Sequence, residues 1–324
     1  MPVPLLQVAD LTTHLHTSRG VVQAVDGVSF DVNEAEAIGL VGESGSGKTM
    51  TAMSIARMLP HPAGRIVRGS VKLAGDELLD KTPAQMQHIR GRLIGTILQD
   101  PMSSLNPVFS IGEQISDAIR AHRDLPREAV RDEVQRLLEV VRIPAAKSRV
   151  DNYPHQMSGG MRQRAVGALA LSSAPRLLIA DEPTTALDVT VQAQYLKLLR
   201  ELQRELRLSI VLITHDFGVV AAVCDRVAVM YAGRIVEQAP VGKLFDSPQH
   251  PYTVSLLGAL RTGQSARKSR LFSLAGQPPD LCEPPRGCRF APRCSQASTR
   301  CHNEYPPATV HGEDHVSNCW LHLS

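Results

Sequence analysis

Apolar positions recur with two different periods along this chain. Residues 21–32 alternate apolar with polar, the period of a half-buried strand. Residues 37–41 form a short apolar run that ends at a glycine-rich turn, and residues 49–59 then carry helical spacing, which predicts a strand–turn–helix unit. Residues 176–180 and 209–214 are short, β-rich runs of the kind buried in parallel sheets. Residues 227–231, Gly233 and residues 234–237 read as a hairpin. The middle of the chain differs. Residues 126–141 set Val130, Val134, Leu137, Leu138 and Val141 at helical spacing with charges between them, an amphipathic helix. These elements predict an α/β domain over residues 1–245 with a helical insert at about 86–167. After about residue 245 Pro and Cys become frequent and the periodicity fades, so residues 246–324 are expected to form a separate extension. No internal repeat is visible, which leaves one α/β domain per chain.

Composition narrows the function classes. The 324 residues are 43% hydrophobic, enough for a packed core. Aromatics at 4% argue against a platform that stacks nucleic-acid bases, and a net charge of +3 is small for a nucleic-acid binder of this length. No apolar run approaches the roughly 18 to 20 residues that a membrane span needs. The longest candidate, residues 165–180, is broken by Ser172, Ser173, Pro175 and Arg176, and the first twenty residues lack the pattern of a secretory signal. A cytosolic chain is therefore expected, one that reaches a membrane only by docking on spanning partners. Five of the six cysteines, Cys282, Cys288, Cys294, Cys301 and Cys319, follow residue 281, and in a cytosolic chain such clustering points to metal ahead of disulfides.

Gly42-Glu43-Ser44-Gly45-Ser46-Gly47-Lys48-Thr49 fits the phosphate-loop pattern in full, between a predicted strand and a predicted helix. Its glycines let backbone N–H groups turn inward around phosphates, and the helix start adds positive potential. Lys48 is expected to reach the β- and γ-phosphates and Thr49 to bind Mg²⁺. Downstream, the apolar residues 177–180 end in Asp181 and Glu182. Asp181 suits the Mg²⁺ shell, and Glu182 suits a general base that polarises the attacking water. Strands ending in acids are common, so this pair gains its meaning from the loop upstream.

Met157-Ser158-Gly159-Gly160-Met161-Arg162-Gln163-Arg164 resembles the signature motif of ATP-binding-cassette (ABC) ATPases, with Met157 in place of the usual Leu and Met161 where Gln is common. Ser158 and the N–H groups of Gly159 and Gly160 would open a helix and form a second anion site, which in that family closes on ATP held by a partner domain. Gln99, followed by Asp100 and Pro101, resembles the Q-loop, which senses Mg²⁺ and water. Ala186-Leu187-Asp188 resembles the D-loop at the dimer seam, and His215 the switch histidine that contacts the γ-phosphate. The resemblance covers about residues 5–245. It implies a P-loop nucleotide-binding domain with a RecA-like core, an antiparallel β subdomain and a helical subdomain. One element departs from the pattern. The family stacks adenine on an aromatic residue, yet no Tyr, Trp or Phe lies between Met1 and Val28. Arg19 stands near the matching position, where its guanidinium could stack on the base or simply be a solvated charge.

In the tail, Cys288, Cys294, Cys301 and Cys319 follow the spacing C-x5-C-x6-C-x17-C. Together with Gln249-His250-Pro251-Tyr252-Thr253, and with Leu105-Asn106-Pro107 after the Q-loop, this resembles the ATPase subunits of oligopeptide and dipeptide permeases, over nearly the whole chain. Some members of that subfamily carry a [4Fe–4S] cluster at these cysteines. Zinc and a metal-free tail are the alternatives. The absence of tight C-x2-C pairs weakens zinc, while His302, His311 and His315 could compete as ligands. Cys224, in an apolar helical stretch, reads as core packing.

The resemblance implies an ATP hydrolase coupled to transport, a translocase subunit on the cytoplasmic face of the cell membrane. Its implied partners are a second ABC ATPase subunit, two transmembrane permease subunits and an extracytoplasmic substrate-binding protein, without nucleic acid. Import of di- or oligopeptides is the leading function. The alternatives are another cargo, such as nickel or glutathione, and a soluble cassette ATPase working on DNA or ribosomes. A two-cassette chain, a coiled-coil arm or a basic insert would mark the last of these, and none is visible.

Overall fold

The computed structural model describes residues 3–98, 104–185, 187–265 and 274–323. The elements begin with β1 (Leu6–Thr17), β2 (Gly20–Val32), β3 (Ala37–Val41), α1 (Lys48–Ile55), β4 (Gly64–Leu73), β5 (Asp76–Glu77) and α2 (Pro83–Arg92). They continue through β6 (Ile94–Ile97), α3 (Ile111–His122), α4 (Arg127–Val140), α5 (Ala146–Arg149), α6 (Gly159–Leu171), β7 (Leu177–Asp181), α7 (Val189–Glu205) and β8 (Ser209–Thr214). The last are α8 (Phe217–Val223), β9 (Arg226–Tyr231), β10 (Arg234–Pro240), α9 (Val241–Asp246), α10 (Pro251–Ser265), α11 (Thr299–Asn303), β11 (Thr309–Val310) and β12 (Val316–Ser317). The chain divides into two compact units.

The first unit comprises Met1–Leu5, Val32–Ala37 and Glu77–Ile213. Its strands β6, β7 and β8 run parallel, with Ile94 opposite Leu177 and Leu177 opposite Ser209. β7 and β8 are buried along their whole length, which is why their sequences are apolar without alternation. α4 turns Val130, Val134, Leu137 and Leu138 inward, the stripe that the sequence predicts. Reciprocal hydrogen bonds between Ser110 and Glu113 open α3, a capping box. Among its described residues, the segment read as a helical insert contains one strand, β6. At four residues it is too short for its apolar alternation to stand out from the flanking helices.

The second unit comprises Leu6–Asp31, Ile38–Asp76 and Thr214–Ser324. It carries a sheet in the order β2-β1-β4-β5, with β1 and β4 antiparallel from Leu6 opposite Leu73 to Leu15 opposite Gly64. A second run of strands is ordered β11-β12-β10-β9-β3. β9 and β10 form the predicted hairpin, and β3 lies parallel to β9. α1 stops at Ile55, earlier than the apolar pattern predicts, because Arg57 takes a left-handed backbone with φ of +50°. Cys224 is buried behind β3, close to Gly39, as core packing.

Candidate functional site

The second unit carries the phosphate loop, between β3 and α1. Gly42, Gly45 and Gly47 have φ of +154°, +77° and +102°, a backbone that side-chain-bearing residues rarely adopt. A Cβ on Gly42 would collide with the Met230 carbonyl oxygen, and one on Gly47 with that of Ala24. The loop is thus fitted to its surroundings at both ends. Lys48 is 6% exposed, and its ammonium donates to the carbonyl oxygens of Gly42 and Glu43 at 2.8 Å each and to Ser46 Oγ at 3.4 Å. Ser44 and Gly45 are exposed, Thr49 is half-buried, and Ser46 is buried with its carbonyl accepting Gly233 N–H at 2.8 Å. Glu43 is held by residues far away in the chain. Tyr252 Oη accepts its N–H at 2.9 Å, and Arg293 donates to both carboxylate oxygens, at 2.7 and 3.1 Å. His215 is exposed on the same unit, just past β8. Beside it Asp216 accepts Gly218 N–H at 2.7 Å and caps α8.

The first unit carries the acids and the serine-headed helix. Asp181 is 4% exposed at the end of β7. Glu182 has φ of +45°, a left-handed turn that aims its side chain off the strand. Its N–H donates to Ile213 O at 2.8 Å and its carboxylate accepts the Thr185 hydroxyl at 2.8 Å. Asp188 accepts Val191 N–H at 3.0 Å and caps α7. Ser158 caps α6, its Oγ accepting Met161 N–H at 3.3 Å. Ser158 and Gly159 are exposed, and no atom lies within 4 Å of where a Gly159 Cβ would stand. Gly160 packs against Val191 so closely that a Cβ would meet Val191 Cγ1 at 2.6 Å. Gln99 and Ala186 lie outside the described residues.

Arg19 is exposed and pairs with Asp280 at 3.1 Å. Next to it Gln23 N–H donates to Leu281 O at 2.9 Å, so the C-terminal extension runs along the start of β2. Sequence reasoning places no tail residue here.

The four tail cysteines are free thiols. Burial pushes Cys288 up to about 11, with the Cys301 and Cys319 charges adding to it. Burial also raises Cys319, with contributions from Cys294 and Cys301, and raises Cys294, with one from Cys301. Cys282 responds to burial and to Asp280, and to none of the four. Nothing in the structure bears out the expected iron–sulfur cluster or zinc at Cys288, Cys294, Cys301 and Cys319. Among the described residues no group of three or more His, Cys, Asp or Glu is placed to hold one. A tetrahedral zinc about 2.3 Å from each sulfur would draw the thiolates to about 3.8 Å from one another. His315 is engaged elsewhere, its Nε2 2.8 Å from the fully buried Glu237.

Comparison with known proteins places these features in a family. The ABC transporter family model matches residues 25–185, and the model for the oligopeptide/dipeptide transporter C-terminal region matches residues 236–301. The chain is 47% identical to the oligopeptide transport ATP-binding protein OppD of Bacillus subtilis, over 98% of its own length and 88% of that protein's. It is 46% identical to the dipeptide transport ATP-binding protein DppD of the same organism, over 98% and 94%. Among solved structures it is similar to cbiO1 from Clostridium perfringens, part of the ABC transporter complex cbiONQ, with a TM-score of 0.66, 27% identity, and coverage of 81% of this chain and 97% of that one.

Proposed function

Because the chain belongs to the ABC transporter family, as its relatives at 47% and 46% identity over 98% of its length establish, we propose that it binds and hydrolyses ATP to drive import of di- and oligopeptides. The observation that carries the reading is the tandem of matches in one chain, the cassette first and the oligopeptide/dipeptide transporter region after it.

Each side chain has a task in that reaction. Lys48, the loop N–H groups and the start of α1 neutralise the β- and γ-phosphates. Thr49, Asp181 and Gln99 would hold Mg²⁺, which would offset charge on the phosphoryl oxygens. Glu182 polarises the attacking water and takes its proton, while His215 contacts the γ-phosphate. Ser158, Gly159 and Gly160 serve the ATP of a second cassette. The exposure of Ser158 and Gly159 supports this, since a helix start left open on the surface suits a phosphate that arrives from another chain. Hydrolysis removes the γ-phosphate that both faces grip, so the pair loosens and the transporter resets.

The proposed partners are a second cassette subunit, two permease subunits and an extracytoplasmic binding protein, with this chain bound peripherally at the cytoplasmic face of the membrane. Among the described residues no helix is long and apolar enough to cross a membrane. A groove between α3 and α4, lined by Phe109, Glu113, Arg120, Arg127 and Val134, with Val108 and Phe109 exposed beside it, supports docking of a permease segment. Cys288, Cys294, Cys301 and Cys319 are proposed to hold a [4Fe–4S] cluster, which would tie the tail together. The all-thiolate donor set, without a tight C-x2-C pair, supports that choice over zinc.

The test is reconstitution in vesicles with permease subunits and binding protein. ATP hydrolysis that rises when the binding protein carries peptide is the expected result. Hydrolysis and uptake indifferent to every peptide would overturn the cargo assignment.

A further inference from the structure

Glu43 has no role of its own in the phosphate-loop pattern, where its position accepts any residue. Yet it is held through its N–H, its carbonyl and its carboxylate. Lys48 donates to its carbonyl at 2.8 Å and Ser46 N–H to the same oxygen at 3.2 Å. Tyr252, fully buried, accepts its N–H at 2.9 Å. Arg293, whose side chain is 5% exposed, grips its carboxylate through two hydrogen bonds. The last two partners come from the C-terminal extension and are themselves locked in place. Tyr252, Tyr231 and Phe290 pack with ring centroids 4.6 to 5.4 Å apart. Arg293 donates to Tyr231 Oη at 3.2 Å, and Arg289 ties the same segment to Gln23 and to the Ala232 carbonyl. A two-point guanidinium–carboxylate pair fixes direction as well as distance, which a single contact does not.

We propose that Arg293 and Tyr252 are positioning residues for the nucleotide: they hold Glu43 and so keep the phosphate loop in its binding shape, making nucleotide affinity depend on the C-terminal extension. This rests on the reading of the loop as the ATP site. A loop with three glycines in left-handed conformations is costly to order, and a brace that pre-orders it removes that cost from binding. The 3₁₀ turn Ala291–Arg293 that presents Arg293 leads straight into Cys294.

Calorimetric titration of the full-length chain with Mg-ADP tests the brace. Arg293→Met is expected to weaken binding at least tenfold, or about 1.4 kcal/mol. Arg293→Lys, which keeps the charge and loses the fork, should recover part of the affinity. Glu43→Gln should reproduce Arg293→Met, and the double variant should lose no more than either single one. Tyr252→Phe keeps the ring and should cost several-fold, so the proposal stays testable if Arg293→Met does not fold. Wild-type affinity in a folded Arg293→Met or in Tyr252→Phe would overturn the proposal, as would additive losses in the double variant. A purely structural tie would lower the melting temperature and leave affinity intact below it. Failure of the wild type to bind Mg-ADP is a separate outcome, and it would remove the ATP reading and the brace together.

Discussion

The Thr185 hydroxyl donates to the Glu182 carboxylate at 2.8 Å, while the Glu182 backbone is bent to a φ of +45°. A base at the end of a buried strand is thereby turned out of line and oriented from one side by its own loop. Glu182→Gln keeps the shape and removes the basicity. Steady-state phosphate release should fall by about 10²- to 10⁴-fold while ATP binding persists. Unchanged release would assign the base to another residue.

Gly47 sits at φ of +102°, and a Cβ there would meet the Ala24 carbonyl oxygen at 2.4 Å. Gly47→Ala adds both backbone strain and a clash that two backbone segments would have to relieve. Destabilisation by about 1–3 kcal/mol is expected, together with loss of nucleotide binding. Chemical denaturation and titration with Mg-ADP read the two effects separately, and an unaffected variant would show that the loop tolerates a second shape.

Glu133 on α4 carries a pH dependence of its own. The Arg136 guanidinium at 2.7 Å, with Arg123 at 2.6 Å, holds its carboxyl at about 2, below an ordinary value of 4.5. A carboxyl lowered in the folded state stabilises at pH above 4.5, and that stability is lost as the pH falls toward 2. The thermal midpoint should therefore drop across this window, and more gently in Glu133→Gln. Glu133→Gln itself should cost on the order of 1–3 kcal/mol at neutral pH, since two guanidinium groups lose their counter-charge. Equal slopes in the two proteins would place the dependence elsewhere.

Anaerobic purification tests the four tail cysteines. A brown protein with broad absorption near about 400 nm is expected, and replacing Cys294 or Cys301 with Ser should remove the colour. A colourless protein with stoichiometric zinc would contradict the cluster.

Much of the site was legible because its chemistry is local. The phosphate loop occupies consecutive residues between a strand and a helix, and Asp181 with Glu182 ends an apolar run. Both survive reading one residue at a time. The brace was not legible, because Arg293 and Glu43 lie 250 positions apart and nothing local to either names the other. The motif around Tyr252 and Arg293 could be recognised as a resemblance but not given a purpose. Strand β6 was missed for a different reason, being too short to show a period between helices. Arg19, which the sequence leaves open as a base-stacking group or a solvated charge, pairs with Asp280 of the tail, a partner 261 positions away that nothing local to Arg19 names.

The most direct measurement is the solution mass of Glu182→Gln mixed with its partner cassette, by light scattering, with and without Mg-ATP. The account predicts separate chains, this one at 35.2 kDa, that assemble into a two-cassette complex only when Mg-ATP is present. It also predicts that Ser158→Arg, which obstructs the exposed head of α6, prevents assembly. Chains that bind Mg-ATP tightly and still remain separate would contradict it.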